Sequence, residues 1–210
     1  VYELSEKKFT PCIGSLLEDV GYDSSYSLEE KENKRIVPDF GEALYIIDDT
    51  HIKLKQHVLL DIGAVGKGYC VDILHRYLKE RGYSHYLVDG SGDIYYESPT
   101  SVIKAGLEHP QDTTKVIGVV DMAQGAMCSS ATNRRAWGKY SHYIDPETGS
   151  SPHEIAATWV MADTATYADA LSSLLFFVPP EALSEYHFEY CIMNNESRIK
   201  KSPGFLATFF

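Results

Sequence analysis

The stretch LLDIGAVGKG, Leu59 to Gly68, decides how this chain is read. A short apolar run ends in an acid, Asp61, and Gly63, Gly66, Lys67 and Gly68 follow. The strongest helical pattern in the sequence comes next, over 65–81, where Cys70, Ile73, Leu74, Tyr77 and Leu78 recur at helical spacing. Asp72 lies towards its start, Arg76, Lys79 and Arg81 lie near its end, and Gly82 stops it, an arrangement that suits the helix dipole. A glycine-rich junction at a helix start exposes backbone N–H groups where an anion is favoured, and Lys67 adds charge there. The spacing Gly63-x-x-Gly66-x-Gly68 is not the dinucleotide fingerprint GxGxxG. A tight structural turn and a phosphate cradle therefore both stay open from these residues alone.

The bulk composition narrows the classes. At 210 residues, 44% hydrophobic and 23% charged, the chain can bury a full core without disulfides or metals. A net charge of -11 argues against a nucleic-acid partner, which needs a basic patch. No run of about 18 apolar residues is present, so no membrane-spanning helix is expected. A single domain over 1–210 is expected, with a small lobe around 1–40 as the alternative. The first residue is Val1 and no signal-like stretch opens the chain, which suggests a processed or trimmed N-terminus. Cys12, Cys70, Cys128 and Cys191 lie far apart, with no CxxC pair, and read as buried thiols rather than a disulfide framework.

Residues 23–35, DSSYSLEEKENKR, read as a solvated loop or frayed helix that marks a lobe boundary. Strands are expected at 43–48 and 51–60 around Asp48-Asp49-Thr50, and at 84–89 and 93–97 around Gly90-Ser91-Gly92. More are expected at 102–106, 115–121 and 156–162, helices at 164–177 and 180–187, and a closing hairpin at 188–207 turned by Asn194-Asn195. Strands and helices do not alternate strictly, so the pattern predicts an α+β fold with a mixed β-sheet and packed helices.

Three segments carry candidate chemistry. In TATYADALSSLLFF, 164–177, Asp169 and Ser173 are four apart and share a helix face with Ala165, Ala168, Phe176 and Phe177. A carboxylate and a hydroxyl on a buried face need a partner. A hard cation such as Mg2+ takes such oxygens, and a neighbouring backbone amide is the other solution. In YSHYIDPETGSSP, 140–152, His142 precedes the turn signal Asp145-Pro146-Glu147-Thr148-Gly149. It reads as a structural histidine or as a base near neutral pH. In CSSATNRR, 128–135, hydroxyls and two arginines suit phosphate or ribose, or simply a polar loop.

Taken in order, the motifs resemble the ApbE family of FAD:protein FMN transferases. That family's pattern runs D-L-G-x-x-A-K-G-x-x-x-D, V-x-x-G-G-D-I, T-S-G, S-H-I-x-D-P-x-T-G and A-D-A-x-x-T. The chain offers Asp61 to Asp72, Val88 to Ile94, Ser129-Ser130-Ala131, Ser141 to Gly149 and Ala168 to Ser173 in the same order. KFTPCIGSLL, 8–17, is similar to the family's G-x-F-D-P-x-x-G-P-L, with Thr10 in place of the Asp. Asp145 to Ser151 also looks like the D-x-x-T-G-x-S site that the family modifies, but it coincides with the D-P-x-T-G turn and is read as that turn. The likeness covers residues 7 to 207 and starts part-way along the family's pattern, so a short form without the family's N-terminal part is expected.

The resemblance implies a transferase that moves FMN from FAD to a Thr or Ser hydroxyl of a target flavoprotein, releasing AMP. It implies that Thr10, Asp61, Lys67, Ser130 and Ile144 contact FAD. Mg2+ falls to Asp169, Ser173 and the Ala64 backbone carbonyl. His142 matches a histidine implicated in the transfer, and His142 and Asp169 are both candidate bases. An FAD pyrophosphatase using water in place of the protein hydroxyl, or an inactive FAD-binding protein, are the alternatives. The family's habit is extracytoplasmic, in the periplasm or on the outer face of the membrane.

Overall fold

A computed structural model describes residues 2–210. In chain order the main elements are α1 (Gly14–Asp19), α2 (Phe40–Ala43), β1 (Leu44–Asp48), β2 (His51–Leu54), α3 (Gly63–Glu80), β3 (Tyr86–Asp89) and β4 (Ile94–Glu97). They continue with β5 (Ile103–His109), β6 (Asp112–Met122), β7 (Gly125–Ala131), β8 (Ala136–Trp137), β9 (Tyr140–Ser141) and β10 (Ile155–Ala162). The last are α4 (Ala165–Leu174), β11 (Glu189–Asn194), β12 (Ile199–Lys201) and β13 (Ala207–Phe209). The chain forms two compact units, one of residues up to Ile62 with Arg135–Pro152, the other of Gly63–Arg134 with His153–Phe210.

The first unit is built on a small apolar cluster. Helix α1 sends Leu16 and Leu17 inward with Val20, against Trp137, Tyr140 and Ile144. The Trp137 indole N–H donates to the Val20 carbonyl at 2.7 Å, so burying the ring leaves no orphaned donor. Residues 23–35 contain no helix or strand, and they lie inside this unit. The end of that loop is pinned. Arg35 donates through Nε (2.8 Å) and Nη2 (2.7 Å) to the two oxygens of Asp19, and its backbone N–H adds a third bond at 2.8 Å. The Arg35 guanidinium thereby holds the Asp19 carboxyl well below the usual carboxylate range.

That pair gives a test of stability. The Asp19 side chain is only 3% exposed, so removing Arg35 leaves a buried carboxylate with Lys31 as its remaining cation. Arg35→Met is expected to cost about 3 kcal/mol in urea unfolding at pH 7. A depressed folded pKa contributes stability above the unfolded value, and that stability is lost as pH falls through the folded value. The gap between wild type and Arg35→Met should therefore narrow in acid, and a gap independent of pH would contradict the assignment.

The second unit holds a six-stranded sheet in the order β12-β11-β10-β7-β4-β3 and a three-stranded sheet in the order β13-β6-β5. The fold class is α+β, as the sequence implies, and the ladders between the described strands are antiparallel. Strand β10 runs through the middle of the large sheet, with Thr158 opposite Ser130 and Trp159 opposite Cys191. Its core joins Leu107, Val120 and Met122 to Met127, Trp159, Cys191 and Phe205. Helix α4 packs on β7 and β10, and α3 packs on α4 and the β3–β4 hairpin.

Several expectations are corrected. The second strand of the first hairpin ends at Leu54, not at 60. The predicted helix at 180–187 is a single 3-10 turn, Pro180–Leu183, opened by Pro179 and Pro180. Strand β7, GAMCSSA, was not expected, because its small residues carry no alternating signal. Cys70 is exposed; the other three cysteines are buried, and all four are free. The helical pattern of 65–81 marks a real helix but the wrong buried face. Ile73, Leu74 and Tyr77 are exposed, and α3 buries Gly68, Val71 and Asp72 instead. Small size and a carboxylate at the α4 contact decide that face, not apolar area.

Candidate functional site

The crossing of α3 and α4 builds the first part of the site. A Cβ placed on Gly68 would lie 2.3 Å from the Ala165 carbonyl oxygen and 2.8 Å from the Asp169 Cβ. Only a glycine lets the two backbones meet there. The Gly68 N–H donates to Asp169 Oδ2 at 2.9 Å. In helical register that N–H also faces the Ala64 carbonyl, and a carbonyl oxygen has two lone pairs. Asp72 closes the crossing from the other side. Its oxygens accept the N–H groups of Ala165 and Thr166, each at 2.8 Å, and so cap the start of α4.

The buried face of α4 carries oxygen. Asp169 and Ser173 are each 2% exposed. Ser130 on β7 lies 2.8 Å from the Ser172 hydroxyl and 3.3 Å from that of Ser173. Ser172 in turn donates to the Asp169 carbonyl at 2.9 Å. Burial pushes the Asp169 carboxyl above its ordinary range, against the pull of the Gly68 N–H and the charge of Lys67. Cys128 lies in the same region, but burial raises its thiol well above normal and its S–H points to the Ala165 carbonyl at 3.4 Å. It is an inert packing residue.

Lys67 sits in the first turns of α3, and its ammonium pairs with Asp93 Oδ2. Asp93 directly follows the Gly90-Ser91-Gly92 turn, and its sequence neighbours give no sign of this pairing. Arg134 is engaged by both carboxylate oxygens of Glu108 at 2.6 Å, and the Arg135 guanidinium lies 5.9 Å from the Tyr22 ring centre.

The other expected residues belong to the first unit. The Thr10 hydroxyl accepts the Cys12 N–H at 3.2 Å and opens a 3-10 turn, Pro11–Ile13. The Asp61 N–H donates to the Pro11 carbonyl at 2.8 Å. Ile144 is buried in the apolar cluster. The His142 backbone N–H donates to the Arg135 carbonyl at 3.1 Å, and its ring lies 4.0 Å from that of Tyr143. After it, Asp145 Oδ1 accepts the N–H groups of Glu147 and Thr148, and Gly149 closes the expected turn at φ 64°.

The donors at the helix crossing fit Mg2+. Hydroxyl, carboxylate and carbonyl oxygens are its preferred ligands, and the burial-raised Asp169 carboxyl gains from a cation beside it. Among the described residues no three His, Cys, Asp or Glu converge on one point. One carboxylate with neutral oxygens suits a magnesium ion that keeps waters and substrate phosphates in its shell.

These features define an α+β protein with a buried carboxylate–hydroxyl cluster where two helices cross. The chain belongs to the ApbE family, whose model matches residues 1–190. It is 30% identical over 155 residues to the FAD:protein FMN transferase of Escherichia coli K12, a match covering 68% of this chain and 44% of that protein. It is 28% identical over 200 residues to the protein of that name from Chlamydia pneumoniae, covering 83% and 59%. The chain thus spans about half the length of these relatives. The fold is similar to the crystal structure of the ApbE protein from Thermotoga maritima, with a TM-score of 0.79, 24% identity, and 97% of this chain and 72% of that one covered. The flavin transferase ApbE from Vibrio cholerae gives 0.72 at 19% identity, with 97% and 72% covered. No described helix is long and apolar enough to cross a membrane.

Proposed function

We propose that this chain transfers FMN from FAD to a Thr or Ser hydroxyl of a target flavoprotein and releases AMP. The observation that carries the reading is the buried set of Asp169, Ser173 and Ser130 at the start of α3, beside the half-exposed Lys67. Oxygen ligands for a hard cation, with an ammonium at a helix start, suit a diphosphate. The acceptor oxygen forms a bond to the FMN phosphorus as the bridging P–O bond breaks, and AMP leaves with the bridging oxygen. The acceptor proton passes to a base, for which the family pattern offers His142 and Asp169.

Asp169, Ser173 and the Ala64 carbonyl would hold Mg2+, which neutralises diphosphate charge and polarises the phosphorus. Lys67, Ser130, Thr10, Asp61 and Ile144 are assigned to FAD by the family pattern. An extracytoplasmic setting belongs to the same proposal. The test follows AMP by chromatography with FAD and Mg2+, with and without an acceptor bearing D-x-x-T-G-x-S. The transferase reading expects AMP release that needs acceptor and stops with a chelator. AMP release that ignores the acceptor would establish the pyrophosphatase instead.

A further inference from the structure

We propose that Asp93 is a positioning residue that fixes Lys67, so that the ammonium turns its outward N–H groups to the diphosphate of a bound nucleotide. This rests on the reading of the helix crossing as a nucleotide site. The carboxylate is held by its backbone. Asp89 Oδ1 accepts the Gly92 N–H at 2.9 Å, the Gly90 N–H donates to the Asp93 carbonyl at 2.8 Å, and the ladder to β7 begins at Ile94 opposite Met127. Ser91 sits at φ 68° in that turn, a left-handed conformation that side chains enter only when the surroundings impose it.

The side chain is 1% exposed. Its Oδ2 meets the Lys67 ammonium, while the buried Oδ1 has no hydrogen-bond partner among the described residues. A carboxylate so buried and half-satisfied adds little to stability, which points to a use for its charge. The Lys67 side chain is 44% exposed, so the ammonium bridges a buried anion and solvent. An ammonium carries three N–H donors. Asp93 takes one from within, and the others are left for an anion outside. A long side chain already ordered by Asp93 loses less freedom when that anion binds.

The test titrates the full chain with ADP as a diphosphate probe and with AMP as the monophosphate control. Lys67→Met and Asp93→Asn are each expected to weaken ADP about tenfold, the scale on which supporting partners act through a ligand-holding side chain. AMP should change less. The double variant should bind ADP no more weakly than Lys67→Met, because Asp93 acts only through Lys67. Asp93→Asn with wild-type ADP affinity, or an additive double variant, would overturn the proposal, and so would a wild-type chain that binds neither ADP nor FAD. If Asp93→Asn does not fold, Asp93→Glu keeps the charge one methylene out of place. Weaker ADP binding at an unchanged melting temperature then supports the proposal, and unchanged binding overturns it. The binding readout is separate from transfer. Wild-type KM and kcat for flavin transfer in Asp93→Asn would sink the positioning role and leave the transferase. Lost ADP binding in that variant, with no transfer by wild type, would do the reverse.

Discussion

Asp169→Asn is expected to lower Mg2+-dependent AMP release about 10³-fold while leaving the metal-free protein at least as stable as wild type. The two effects have opposite signs for one reason. Burial raises the Asp169 carboxyl above its ordinary range, so its ionisation opposes folding. Stability fully present below the unfolded value, 3.8, is lost as pH rises through the raised folded value. At pH 7 the neutral Asn escapes that cost, and its side-chain oxygen can still accept the Gly68 N–H. Mg2+ should raise the melting temperature of wild type and leave the variant unchanged. A variant that melts far below wild type, or one that keeps its metal response, would show that Asp169 is a structural acid.

Gly68→Ala is expected to destabilise the fold by about 3 kcal/mol or more, despite the better helix propensity of alanine. The added carbon would sit 2.3 Å from a backbone oxygen, which no rotamer change relieves. Helices α3 and α4 must part, and the Gly68–Asp169 bond and the Asp72 cap are strained together. A loss on that scale lowers the melting temperature by about 10 °C in a domain of this size. Equal or greater stability by urea unfolding would contradict the close crossing.

These two residues also show where the sequence was legible. The helix that starts at Gly63 and the shared buried face of Asp169 and Ser173 follow from local spacing, and both are seen, although irregular chain and not a strand leads into that helix. The hairpin turns at Asp48-Asp49-Thr50 and Asn194-Asn195 follow from Asx chemistry, with Asp48 and Asn194 accepting the N–H groups of Thr50 and Glu196. What local spacing cannot give is the partner of a residue far along the chain. Gly68 read as an element of a turn, and its reason lies at Ala165. Asp72 read as a charge suited to its own helix dipole, and it caps α4 instead. The apolar residues of α3 read as its buried face, because periodicity reports amphipathicity and not which face meets a neighbour. Asp93 stood next to a glycine turn, and only the fold joins it to Lys67.

Flavin transfer is read out by the intact mass of an acceptor after incubation with the chain, FAD and Mg2+. A transferase adds one FMN to the acceptor Thr, matched by AMP and absent when that Thr is changed to Val. An acceptor of unchanged mass in the presence of released AMP would contradict flavin transfer.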